Sequence, residues 1–129
     1  MSTYGISKEV SYSYEEAIEK TKAALAAKGF GVLTEIDVKA TLKKKLDKDV
    51  NNYIILGACN PPYAYEALTN EEEIGLLLPC NVIVYENKAG KTVVSAIDPI
   101  VAMGMVDNPS LAKVATSVKD LLAEVVNNV

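Results

Sequence analysis

Histidine and arginine are absent from the 129-residue chain, and cysteine occurs only twice. Without histidine there is no imidazole general base, no histidine-assisted hydrolase triad and no histidine-ligated metal. Without arginine, the planar fork that reads guanine or grips phosphate through two bonds is missing, and all thirteen basic residues are lysines. Seventeen acidic residues outweigh them and give a net charge of −4, the wrong overall sign for a nucleic-acid binder. The sequence also lacks a long apolar run, a basic start leading into an apolar signal core, a CxxC unit, an internal repeat and an interdomain linker. The expected setting is the cytoplasm, with neither membrane nor nucleic acid as a partner.

What remains is foldable. Half of the residues are hydrophobic and 23% are charged, too apolar for a disordered chain. The length suits a single domain, residues 1–129. Size scaling gives such a chain a folded surface of about 6,600 Å² against roughly 20,000 Å² when extended, so neither a metal nor a disulfide is needed to explain folding.

Tyr4 to Val10 reads as a strand. Ser13 is placed to cap a helix and Glu16, three residues on, to complete a capping box. Ala17, Ile18, Thr21, Ala24 and Leu25 recur at helical spacing, and Lys28-Gly29 supplies the stop. Phe30, Val32 and Ile36 mark a second strand in which Leu33 spoils the alternation and suggests that both faces are partly covered. Val38, Leu42 and Leu46 predict a short helix from Asp37, with Lys43, Lys44 and Lys45 as either a solvated face or an anion-attracting patch.

Tyr53 to Ala58 is strand-like and runs into Cys59-Asn60-Pro61-Pro62, where a loop and a short helix with Pro62 in its first turn are expected. Cys80–Tyr85 and Thr92–Ile97 form the clearest hairpin, turning at Gly90. Asn108 and Pro109 start a last helix whose stripe runs from Leu111 to Val125. The order predicts an α+β fold: a predominantly antiparallel sheet covered by two long helices, with a short additional helix.

Chemistry-bearing residues are few. Cys59 and Cys80 adjoin proline-containing boundaries and read as structural or incidental thiols, as a reactive or redox-active cysteine, or as part of a metal or cofactor site, for which two ligands alone are a weak signature. A nucleophilic Cys59 would need a helix terminus or a lysine to stabilise its thiolate, and the turn before the Pro62 helix offers the first. Asp37 and Asp98 occupy positions suited to capping, with a paired acid/base role as the alternative. Glu66 and the Glu71–Glu73 run read as solvated. Gly57 and Gly104 suit turn geometry, with close ligand approach as the alternative, and Tyr53, Tyr63, Tyr65 and Tyr85 could line a pocket or a dimer surface. Gly29-Phe30-Gly31 is no nucleotide fingerprint, and the identity of any cofactor is left open by the sequence.

Glu35-Ile36-Asp37-Val38, Ile55 to Pro61 (ILGACNP) and Leu77 to Val82 (LLPCNV), followed by the Val82–Tyr85 strand, together resemble the bacterial and archaeal family catalogued as domain of unknown function 302. The resemblance covers almost the whole chain. It implies a β-α-β(4)-α topology similar to the TATA-box-binding protein and a homodimer. It marks Asp37, Gly57, Cys59, Asn60, Pro61, Pro79 and Cys80 as candidate site or architectural positions. Two readings follow: a binding or interaction domain taking a small molecule or a protein near the two cysteine-containing loops, and a thiol-dependent enzyme using Cys59, with Asn60 positioning and Cys80 as second thiol.

Overall fold

The computed structural model describes residues 2–129. In chain order the elements are β1 (Gly5–Val10), α1 (Tyr14–Ala27), β2 (Gly31–Asp37), α2 (Val38–Leu46), β3 (Tyr53–Cys59) and α3 (Pro61–Asn70). A 3-10 segment (Glu72–Leu77), β4 (Cys80–Glu86), β5 (Thr92–Ile97), α4 (Pro99–Met103) and α5 (Pro109–Asn127) complete it. The strands form one five-stranded sheet in the order β1-β5-β4-β3-β2, and every neighbouring pair is antiparallel. Mixed α and β, a largely antiparallel sheet and two long helices agree with the sequence pattern. The short helices expected from Asp37 and at Pro62 are α2 and α3, and α4 and the 3-10 segment are added to them.

Strand alternation divides the sheet into two unlike faces. Leu56, Val82, Val84, Val94 and Ala96 point to one side and form the core with Ala17 and Leu25 of α1 and Leu111, Val114, Val118, Leu122 and Val125 of α5. Thr21 is the polar member of the α1 stripe; buried, it donates its hydroxyl to the Ala17 carbonyl at 2.7 Å, which satisfies it without a partner outside its own helix. Tyr53, Ile55, Ile83 and Tyr85 point the other way and take no part in that core. The total surface, 7558 Å², exceeds the scaling expectation of about 6,600 Å², as a sheet with one uncovered face should.

The helix ends follow their cap chemistry. Ser13 Oγ accepts from the Glu16 N–H at 3.2 Å, the serine half of the expected capping box. At the other end Gly29, with φ of 83°, lets its N–H reach the Ala26 carbonyl and the Phe30 N–H reach that of Leu25, a Schellman closure that turns the chain into β2. Asn108 caps α5 by accepting from the Ser110 N–H, and its amide also donates to the Asn70 carbonyl at 2.8 Å, tying the end of α3 to the start of α5. No basic residue occupies the last turn of α5. Lys8 of β1 supplies that charge instead, donating to the Asn127 and Val129 carbonyls at 3.1 and 2.9 Å.

Two expectations change. β2 is not covered on both faces; it is an exposed edge strand. Its broken alternation has another cause, because the register passes from Val32↔Ala58 to Thr34↔Gly57 and leaves Leu33 as the extra residue of a bulge. In α2 no residue is buried, and Leu46 is 63% exposed. Of its lysines, Lys43 is already paired with Asp47 and Asp49, which weakens an anion-attracting patch there.

Asp98 is the buried acid of the fold, 8% exposed. It caps α4 by accepting from the Ile100 N–H at 2.9 Å and pairs with Lys119 of α5 at 2.9 Å. Burial alone would raise its pKa, but the Lys119 and Ile100 bonds outweigh that and hold it below the usual carboxylate value. A lowered folded-state pKa contributes stability that is present above the unfolded value, about 3.9, and is lost as the pH falls through the folded one. Asp98→Asn is expected to destabilise the protein by about 2 kcal/mol at pH 7. Urea midpoints measured from pH 7 to pH 2 check this, the variant and wild type converging at the acid end.

Candidate functional site

The Ala58↔Cys80 pairing sets the end of β3 beside the start of β4. Gly57, one step earlier, is buried where a Cβ would meet the Thr34 Oγ1 and the Pro79 Cγ. A side chain there would push β2 or the Leu78–Pro79 segment outward. From Cys59 the chain turns at Asn60 into α3, with Pro61 as its first residue and Pro62 as its second, where a missing amide N–H is harmless. Asn60 anchors this turn: its carbonyl accepts from the Ala64 N–H at 3.0 Å and its amide donates to the Lys28 carbonyl at the end of α1 at 3.2 Å.

Between these strand ends, α3 and α5 lies a cavity of about 300 Å³. Cys59, Asn60, Pro79 and Cys80 line it, together with Phe30, Leu33, Tyr63, Ala64, Ala67, Leu68, Met103, Val114 and Val118. Ala64 and Ala67 sit three residues apart on α3, hence on one face, and their small size leaves the space open. Neither a lysine nor a carboxylate borders the cavity. Its polar groups are the Asn60 amide, already bonded, the Tyr63 hydroxyl and the two free thiols.

Burial pushes the Cys80 thiol up to about 11, with Cys59 adding to the rise, so Cys80 is a neutral thiol at physiological pH. Among the described residues no cluster of three or more cysteine, aspartate or glutamate side chains could hold a metal ion. Such a lining can enclose a neutral, apolar molecule through dispersion and hydrophobic burial; it holds no built acid–base pair.

The seven sequence candidates thus separate. Cys59, Asn60, Pro79 and Cys80 share the cavity wall. Gly57 and Pro61 shape the strand end and the helix start behind it. Asp37 is elsewhere, exposed at the head of α2, where its Oδ1 accepts from the Ala40 N–H at 2.9 Å and its carbonyl accepts from the Thr41 hydroxyl. The four tyrosines do not form one pocket: Tyr63 lines this cavity, Tyr65 is exposed, and Tyr53 stacks on Tyr85 on the uncovered sheet face. Phe30, Leu33, Met103, Val114 and Val118 were not legible as site residues, because each is an ordinary apolar position until the fold converges them. The Ala64/Ala67 pair was the signal available.

Residues 6–129 match the family model described as domain of unknown function DUF302. A crystal structure of the uncharacterized conserved protein DUF302 from Bacillus stearothermophilus is similar over 98% of each chain, at 29% identity and a TM-score of 0.92. No functionally curated protein matches the sequence. The cavity geometry makes a chemical prediction of its own. In the folded protein Cys80 is expected to react with iodoacetamide far more slowly than in urea, with a rate still climbing above about pH 9, where an ordinary thiol levels off; peptide mass spectrometry reads both cysteines in one sample.

Proposed function

The chain belongs to the DUF302 family, and from the uncharged cavity at its cysteine-bearing strand ends we propose that it is a homodimeric domain binding a small neutral ligand. The observation that carries this reading is an apolar cavity of about 300 Å³ whose wall has no charged side chain. That volume is at the lower end of small-molecule sites, which favours a compact aromatic or short aliphatic compound over an extended one. An ionised ligand would lose its hydration there with nothing to replace it.

The rim supports the dimer. Leu33 and Leu68 line the cavity yet are 66% and 44% exposed, and Tyr65 and Leu76 on α3 and the following 3-10 segment are exposed as well. Apolar groups gathered at a cavity mouth are a natural place for a partner surface, and a second copy seated on β2 and α3 would roof the bound molecule. A protein partner of another kind could use the same rim. The cytoplasmic setting belongs to this proposal, since two unbridged cysteines suit a reducing compartment. So does the likeness of the topology to the TATA-box-binding protein, taken as a relation of fold and not as DNA binding. The thiol-enzyme reading has less support: the Cys80 thiol is pushed up by burial and the Asn60 amide is committed to the Lys28 carbonyl.

Benzene and short-chain alcohols, titrated while thermal unfolding is followed, test the cavity. Wild type is expected to gain stability, by about 2.7 kcal/mol when the probe reaches a hundred times its dissociation constant, whereas Ala64→Phe, which fills the space from the half-buried side of α3, gains none. No stabilisation by any probe would remove the ligand reading. Sedimentation equilibrium decides the dimer separately, with Leu33→Asp expected to shift a wild-type dimer to monomer.

A further inference from the structure

The uncovered face of the sheet carries a second concavity, of about 450 Å³, remote in its lining from the cysteine cavity. Strand register explains its chemistry. Ser7 of β1 pairs with Ser95 of β5, Ser95 with Ile83 of β4, and Ile83 with Ile55 of β3, so two hydroxyls and two isoleucines form one row across the sheet. In the adjoining row Val93, Tyr85 and Tyr53 lie side by side. The Tyr53 and Tyr85 rings stack with centroids 5.3 Å apart and planes inclined by 26°, and Tyr4 and Asn81 also border the hollow.

The two serine hydroxyls are 2.6 Å apart. Each hydroxyl has one hydrogen and two lone pairs. The bond between them uses one hydrogen, and no other side-chain bond to either serine is present among the described residues. One donor and several acceptor sites are therefore left at the floor of the hollow. Gly5 keeps this floor open, because a Cβ there would stand 2.8 Å from the Ser95 Oγ and equally close to that of Ser2. Neither a lysine nor a carboxylate lines the hollow.

This combination selects a ligand class. An anion finds no positive charge, and a purely apolar molecule would strip water from the serine pair and Asn81 without replacing their bonds. A ring that presents C–H groups on one face and hydroxyls around its edge satisfies both parts, the aromatic wall and the hydroxyl floor. We propose that this hollow is a carbohydrate-binding site, in which a neutral sugar ring packs against Tyr53 and Tyr85 and hydrogen-bonds the Ser7–Ser95 pair and Asn81. It is independent of the ligand in the cysteine cavity.

Glucose, N-acetylglucosamine and cellobiose are the probes, followed by saturation-transfer NMR and by tyrosine emission, which is unobscured because the chain has no tryptophan. Transfer to at least one of the three is expected. Ser95→Ala, which leaves the strand packing intact, should weaken it about tenfold, as the loss of one hydrogen bond and the stranding of its partner require. Tyr85→Leu should abolish it, and Ala64→Phe in the other cavity should leave it unchanged. No transfer from any of the three overturns the proposal, as does binding that neither Ser95→Ala nor Tyr85→Leu affects. A dimer dissociated by Ser95→Lys but not by Leu33→Asp also overturns it, assigning the hollow to a second copy of the chain.

Discussion

The pairing of β3 with β4 is the constraint on which the rest of this structure depends. Its register puts Ile54, Leu56 and Ala58 opposite Val84, Val82 and Cys80 on one face, and Tyr53 and Ile55 opposite Tyr85 and Ile83 on the other. A slip of one residue would exchange the two sets, burying two tyrosines beneath α1 and α5 and exposing the aliphatic core. The same ladder ends at Ala58↔Cys80, and this end position brings the two cysteine-bearing segments, separated in sequence by residues 60–79 with α3 and the 3-10 segment among them, into one cavity wall.

Around that centre, polar contacts decide how the helices meet the sheet. Lys8 ties β1 to the carbonyl end of α5, Asp98 joins the end of β5 to α5 through Lys119, and Asn108 joins α3 to α5. The last helix is thereby held at its start, along its length and at its end. Its apolar stripe supplies the gain from burial, and these bonds choose its orientation. Asn60 does the same for the turn into α3, which is why a residue that reads from sequence as a reactive-site partner acts here as a brace between two helices.

Each sheet face carries its own concavity, and the two differ in chemistry because different physics fills them. The cavity under α3 inherits core residues and small alanines, so it is apolar and encloses the neutral Cys80 thiol. The hollow on the open face inherits residues that tolerate water, so hydroxyls, an amide and aromatic rings stand together there. Neither lining holds a lysine or a carboxylate, and the two thiols are the ionisable groups particular to the first.

Much of this was legible in the chain. The Ser13 and Asn108 caps, the Gly29 stop, the Gly90 hairpin and the α5 stripe are local signals, each governed by residues a few positions apart, and they held in the structure. Composition alone removed imidazole and guanidinium chemistry, and the ILGACNP and LLPC segments pointed to the strand ends that border the cavity. The exposure of β2, the bulge at Leu33, the isolation of Asp37 from the cysteines and the parting of the four tyrosines were decided only in three dimensions. Covering and convergence depend on which strands lie at an edge and which helices reach them, and contacts between residues far apart in sequence set both. Periodicity records that a residue has a buried side; only the tertiary structure supplies what lies against it.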